Sequence, residues 1–100
     1  MLDAFRKEID RIDSALIPLI LERLELAKQI AAEKRKTGVA IIDTEREDEI
    51  LRSVAAASED PVLREKMLCL YRELLHCSQD VQQSVIQYGQ ALSETGAERE

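Results

Sequence analysis

The sequence predicts an all-α protein with three helices in each chain and two chains intertwined as a homodimer. Alanine, leucine and charged residues dominate the 100 residues, and aromatic residues make up only 3%. That composition favours helices over strands. Apolar residues recur at steps of three and four, which marks one face of a helix. The first predicted helix is also too long for a compact domain of this size, which predicts a second chain.

The first helix is predicted from Leu2 to Lys36 and should stop at Gly38, because glycine commonly ends helices. Pro18 lies inside this helix and cannot donate to the Ser14 carbonyl, so we expect a kink there. Two separate helices broken at the proline are the alternative, but the apolar stripe continues in phase across it. The stripe consists of Leu2, Phe5, Ile9, Ile12, Leu16, Leu19, Arg23, Leu26 and Ile30.

A short second helix follows the loop KTGVAIID. Asp43 or Thr44 can cap it, and Thr44 with Glu47 fits a capping box. The helical pattern fades near Ala57. Its inward positions are Ile50, Leu51, Val54 and Ala55.

A long third helix is predicted with Asp60 as its cap, Pro61 in its first turn and an end near Tyr88. The segment 89–100 is polar and is expected to be a flexible tail. The folded domain is therefore predicted to be residues 1–88. The inner stripe of helix 3 is Leu63, Met67, Leu70, Leu74, Cys77, Val81 and Val85.

The length of helix 1 predicts the dimer. More than thirty residues at about 1.5 Å each span about 50 Å, whereas a compact chain of 100 residues has a radius of gyration of about 13 Å. An amphipathic helix that overhangs its own domain needs a partner. A two-fold homodimer is the commonest solution.

The charge balance narrows the function classes. The formal net charge is −6, which argues against a nucleic-acid partner and against binding an anionic membrane surface. No apolar stretch approaches the roughly 20 residues that cross a bilayer, and the N-terminus MLDAFRKEID is too charged for a secretory signal. The expected location is the cytoplasm.

Cys69 and Cys77 lie about 12 Å apart along helix 3, too far for a disulfide, and are expected to be reduced, buried side chains.

Four basic residues stand on or beside apolar faces: Arg6, Arg23, Lys34 and Arg46. On helix 3, Ser78 and Gln82 are neighbours on one face. Taken singly, such arginines usually extend to solvent or join internal ion pairs, and the serine–glutamine pair can be an ordinary polar edge. Taken together on helices that must pack, they predict a polar pocket inside a bundle.

The missing residues limit the chemistry. His76 is the only histidine and is expected to be a partly exposed helix residue, because no nucleophile or paired acid surrounds it. No glycine-rich phosphate loop and no zinc-ligand spacing occur in the sequence. We therefore expect no metal and no cofactor. The available groups are guanidinium, ammonium and amide, which bind carboxylates and stabilise charge on an oxygen.

The ordered set of these residues resembles the all-helical AroQ class of chorismate mutases. The resemblance covers roughly residues 3–85 and rests on FRKEIDRID, LERLELAKQIAAEK, IIDTEREDEIL and SQDVQQ. It implies an intertwined helical homodimer that converts chorismate to prephenate by a Claisen rearrangement, for phenylalanine and tyrosine biosynthesis. It implies neither a cofactor nor covalent catalysis.

The resemblance also implies a role for each site residue. Arg23 would bind one substrate carboxylate, and Arg6 would reach in from the other subunit. Lys34 and Gln82 would hydrogen-bond the ether oxygen. Glu47, with the backbone near Asp43, would hold the ring hydroxyl. The remaining two roles are electrostatic shaping of the site by Arg46 and a carboxylate contact by Ser78.

Two other functions stay open at this point. An isochorismate-pyruvate lyase on the same fold acts on a similar dianion, although the acids Asp43 and Glu47 favour the mutase. A non-catalytic dimeric helical module that regulates another protein is the second alternative. Such a module would place apolar residues where Arg23 and Lys34 stand.

Overall fold

The structure, a computed structural model, describes the backbone of residues 1–99 and the side chains of residues 1–87. It contains three α-helices, and no strand occurs in that part of the chain. The order of a long, a short and a long helix, predicted from the sequence, is confirmed. The helices are α1 (Leu2–Thr37), α2 (Thr44–Ala56) and α3 (Pro61–Arg99).

Helix α1 runs through Pro18 as one element, so the choice of one helix over two is confirmed. The kink itself stays a prediction. The helix ends at Gly38, whose φ of 75° lies in the left-handed region that glycine adopts without steric cost. The N–H groups of Gly38 and Val39 both donate to the Lys34 carbonyl, at 2.8 and 3.1 Å. This closure fixes the position of Lys34 at the end of the helix.

Helix α2 is capped by Asp43, whose Oδ1 accepts a hydrogen bond from the Arg46 N–H at 3.1 Å. Thr44 is the first helical residue and not the cap. The capping box predicted for Thr44 and Glu47 is therefore wrong, because the aspartate side chain one residue earlier already satisfies the helix end. The Glu47 side chain is left available for another partner.

Helix α3 begins where the sequence predicted. Asp60 Oδ1 accepts hydrogen bonds from the N–H groups of Val62 and Leu63, at 2.9 and 3.2 Å. These two bonds satisfy donors that the first turn of a helix leaves unpaired. Asp60 is therefore confirmed as a helix cap.

The end of α3 differs from the prediction, since the helix continues past Tyr88 to Arg99. Alanine, glutamate, glutamine and arginine in the last segment are good helix formers, and they outweigh its polarity and its two glycines. The side chains of residues 88–100 lie outside the described residues. The flexible tail and the domain limit at residue 88 stay predictions.

The interior of the single chain is small. Helix α3 packs against both α1 and α2, and the buried apolar side chains are Ala27, Ala31, Val54 and Leu75. Two alanines one turn apart allow α3 to approach α1 closely. Most large residues of the stripes predicted for helices 1 and 3 are exposed in the single chain, among them Phe5, Ile9, Leu63 and Leu70, so their burial against a partner stays a prediction.

The molecule is elongated. Its radius of gyration is 18.0 Å and its principal extents are 60 × 32 × 14 Å, against about 13 Å for the radius of gyration of a compact chain of this length. Cys69 and Cys77 are free but exposed, so their predicted burial is wrong for the single chain. Within the described part of the chain, no helix combines the length and hydropathy that crossing a membrane requires.

Candidate active site

All three helices and the loop after α1 line one cavity of about 360 Å³, a volume within the usual range for small-molecule sites. The structure brings seven of the eight predicted site residues to this cavity, and Arg6 is the exception. The seven are Arg23, Lys34, Asp43, Arg46, Glu47, Ser78 and Gln82.

The helical repeat explains how these residues meet. Arg23 and Lys34 are eleven residues apart on α1, which is about three turns and returns both side chains to one face. The first turn of α2 supplies two charged side chains, and α3 supplies Ser78 and Gln82 at a spacing of four. Because α3 packs against both other helices, its face with Ser78 and Gln82 forms one wall of the cavity.

Lys34 is held from two sides. Its Nζ donates to the Ile41 carbonyl at 2.7 Å and to Gln82 Oε1 at 3.3 Å. An ammonium group has three N–H donors, so one donor remains for a ligand in the cavity. The Ile41 carbonyl also balances part of the charge that α1 and α3 partly bury.

Gln82 and Ser78 are the buried polar residues of the described chain, at 7% and 8% exposure. Gln82 Nε2 lies 3.4 Å from Ser78 Oγ, and its Oε1 accepts from Lys34. The amide oxygen is thereby turned to the ammonium. One amide N–H remains for a ligand.

Arg23 is half-buried and lines the cavity. Among the described residues, no carboxylate lies within ion-pair distance of its guanidinium. A partly buried cation without a protein anion is suited to bind the carboxylate of a ligand, and a guanidinium can do so with two parallel hydrogen bonds.

The acids occupy the α2 side of the cavity. Asp43 uses one oxygen to cap α2, and Glu47 Oε2 accepts a hydrogen bond from Gln79 Nε2 at 2.6 Å. Gln79 lines the cavity, and the sequence interpretation missed it. Its spacing of three from Gln82 places both on one face, and that was the available signal.

Arg46 lies at the edge of the site. Its Nη1 is 2.7 Å from Glu49 Oε1, and both side chains are 61% exposed. Exposed ion pairs of this kind contribute little to stability, so the guanidinium can exchange Glu49 for a ligand carboxylate. Arg46 therefore adds positive potential to the cavity without being fixed in it.

Arg6 and His76 lie away from this cavity. Along α1, Arg6 is seventeen residues from Arg23, which corresponds to about 25 Å. Arg6 cannot reach the cavity of its own chain. His76 is exposed, as predicted, and no group of metal-ligating residues occurs in the part of the chain that the structure describes.

Comparison with known proteins identifies the family. A model described as chorismate mutase type II matches residues 5–83, which is more than half of the chain. The chain belongs to the chorismate mutase type II family. The resemblance to the AroQ class, given above on the sequence motifs, is confirmed.

Two relatives agree with membership of the chorismate mutase type II family. A bifunctional chorismate mutase/prephenate dehydratase of Aquifex aeolicus is 36% identical over 78 residues, which cover 74% of this chain and 22% of the relative. A chorismate mutase of Methanocaldococcus jannaschii is 50% identical over 42 residues, 42% of each chain. The matched segments thus span less than half of these relatives. Among solved structures, none matches.

Proposed function

We propose that the chain is a chorismate mutase, which rearranges chorismate to prephenate by electrostatic and hydrogen-bond stabilisation. The observation that carries the proposal is the cavity in which Lys34 and Gln82 bond to each other beside the half-buried Arg23. Family membership agrees with it. The site favours an anionic substrate, since Arg23 has no carboxylate partner among the described residues.

The reaction requires few functional groups. It breaks one ether C–O bond and forms one C–C bond within a single molecule, so no proton, electron or leaving group passes to the protein. The site must hold the substrate in a compact reactive conformation and stabilise charge on the ether oxygen. The remaining N–H donors of Lys34 and Gln82 supply that stabilisation in our proposal, and Arg23 orients a carboxylate.

On the α2 side, Glu47 would accept a hydrogen bond from the ring hydroxyl, together with the backbone near Asp43. Ser78 would contact a carboxylate, and Arg46 would raise the positive potential at the edge. These roles place donors where negative charge lies and an acceptor where a hydroxyl lies. They give each of the seven predicted residues of the cavity a role toward one substrate.

We further propose that the active form is an intertwined homodimer. The chain exposes 8117 Å², against about 5,800 Å² for a compact monomer of its mass. Much of the excess is apolar, because Leu2, Phe5, Ile9 and Ile12 on the first half of α1 are 47–64% exposed. Exposed apolar faces of this extent mark protein interfaces.

The dimer would also complete the site. Arg6 lies on the exposed half of α1, about 25 Å from its own cavity, so in our proposal it enters the cavity of the other subunit. Two-fold symmetry then makes two equal sites. Location in the cytoplasm remains a prediction from the sequence.

The direct test follows the ultraviolet absorbance of chorismate on adding purified protein, with Arg23→Ala beside it. We expect turnover by the parent chain and a fall in kcat/KM of at least about 100-fold in the variant, the scale of losing one charged contact to substrate and transition state. Arg11→Ala is the matched control. It removes an arginine of the same helix that pairs with Glu8 on the surface.

Product analysis separates the mutase from the lyase on the same fold. Prephenate from chorismate supports the proposal. Pyruvate from isochorismate, with no prephenate from chorismate, would replace it by isochorismate-pyruvate lyase. A folded dimer that acts on neither substrate would favour the non-catalytic module.

A further inference from the structure

The contact between Gln79 and Glu47 is the starting point. Gln79 Nε2 donates to Glu47 Oε2 at 2.6 Å, a short distance that is typical of hydrogen bonds to a charged acceptor. Both residues are half-buried and line the cavity. Among the described side chains, this is the hydrogen bond that joins α2 directly to α3.

Glu47 needs such a contact to keep one orientation. Its side chain has three rotatable bonds, and α2 is already capped by Asp43, so the helix end does not hold the carboxylate. The cations Arg23 and Lys34 line the same cavity. A carboxylate released from Gln79 can turn towards them, and it then no longer faces the position of a ligand hydroxyl.

A neutral amide is suited to this task. It engages one carboxylate oxygen and leaves Oε1, for which the described residues provide no hydrogen bond, able to accept from a ligand hydroxyl. A cation at the same position would neutralise the acceptor, and a second carboxylate would repel it. An apolar side chain would leave it unoriented.

We infer that Gln79 is a positioning residue that holds Glu47 in the orientation needed to accept a hydrogen bond from the ring hydroxyl of the substrate. This inference rests on the proposed mutase function and deepens it. Gln79 does not contact the reacting atoms and acts through Glu47 alone. Its effect must therefore depend on Glu47 and on the hydroxyl.

The test compares Gln79→Leu with the parent chain on chorismate. We expect kcat/KM to fall about tenfold, the scale of a misplaced orienting contact. Gln79→Glu, which nearly keeps the shape, should lose more, because it places two carboxylates side by side. Gln83→Leu is the matched control, since Gln83 is exposed one turn further along α3 and does not line this cavity. Circular dichroism and sedimentation check that each variant folds and assembles as the parent does.

Two readouts distinguish positioning from a structural role. Added to Glu47→Gln, the leucine change should alter kcat/KM less than about twofold, because the contact it removes acts only through Glu47. With a chorismate analogue that lacks the ring hydroxyl, parent and Gln79→Leu should react at equal rates.

The possible failures are distinct. An inactive parent chain overturns the proposed function, and the inference about Gln79 with it. An active parent with Gln79→Leu and Gln79→Glu both within about twofold overturns the inference alone. A tenfold loss that persists in the Glu47→Gln background, or with the analogue, assigns Gln79 a structural role instead.

Discussion

At the scale of single residues, the central feature is the chain of hydrogen bonds from the Ile41 carbonyl through Lys34 to Gln82 and Ser78. Each link uses up one donor or acceptor and so fixes which atoms remain for a ligand. Both remaining donors belong to side chains held from two sides. Such preorganised donors stabilise developing charge without reorganising during the reaction.

The identity of residue 82 sets the expected pH dependence. A glutamine amide donates a hydrogen bond at any ordinary pH, so we expect activity to be nearly flat across neutral pH. In Gln82→Glu, the introduced carboxyl donates only when protonated, and an unperturbed glutamate has a pKa of about 4.3. Lys34 Nζ, at 3.3 Å from the present amide oxygen, would further favour the ionised form.

The variant should therefore lose about 100-fold in kcat near neutral pH, the scale of losing one donor. Its activity should rise as pH falls, because the protonated form is the active one. The measurement is the ratio of variant to parent kcat between about pH 8 and about pH 5. Gln83→Glu, at an exposed position of the same helix, should follow the parent. Equal pH profiles for Gln82→Glu and the parent would remove residue 82 from the proposed role.

At the scale of elements, helix ends fix the site as much as helix faces do. Gly38 closes α1 directly onto the carbonyl of Lys34, and Asp43 starts α2 at the cavity wall. Asp60 starts α3 away from the cavity. The two aspartate caps have equivalent local chemistry but only one of them belongs to the site.

Asp60→Ala should therefore lower the stability of the fold without changing its activity. Losing a helix cap costs about 1 kcal/mol in the free energy of unfolding, measured by urea denaturation. The kcat should stay unchanged, because the side chain lies outside the cavity. Glu59→Ala controls for removing a neighbouring acid. A loss of activity with unchanged stability would show that the start of α3 takes part in the site.

The sequence predicted the helices better than it predicted their packing. Helix ends at Gly38, Asp43 and Asp60 follow from local chemistry and were predictable. The burial of Ala27 and Ala31 was not predictable. A pattern of large apolar residues indicates which face of a helix is buried, but not whether that face packs against the same chain or another. The end of α3 was misplaced because polarity was weighed above helix propensity.

The residues of the site were likewise predictable in part. Arg23, Lys34 and Gln82 stand out because polar groups on apolar faces require an explanation. Gln79 does not, since a glutamine within QDVQQ reads as an ordinary surface residue. Its role depends on a contact between residues 32 positions apart, which only the packing of α2 on α3 creates.

At the scale of the whole molecule, one chain holds an incomplete site in our proposal. Most of the large apolar residues on the first half of α1 are exposed, and Arg6 lies about 25 Å from Arg23 along that helix. In an intertwined dimer, each site would combine Arg23 of one protomer with Arg6 of its partner. Two variants that are each inactive can then complement each other.

The experiment unfolds Arg6→Ala and Arg23→Ala, mixes the two variants and refolds them together. Each variant alone lacks one arginine in both sites. In a mixed dimer, one site lacks both arginines and the other has both intact. Random pairing puts half of the chains in mixed dimers, so we expect about a quarter of the parent activity per chain. The readout is chorismate turnover before and after joint refolding. Activity that stays at the level of the separate variants, while sedimentation shows mixed dimers, would mean that Arg6 serves no site across the interface.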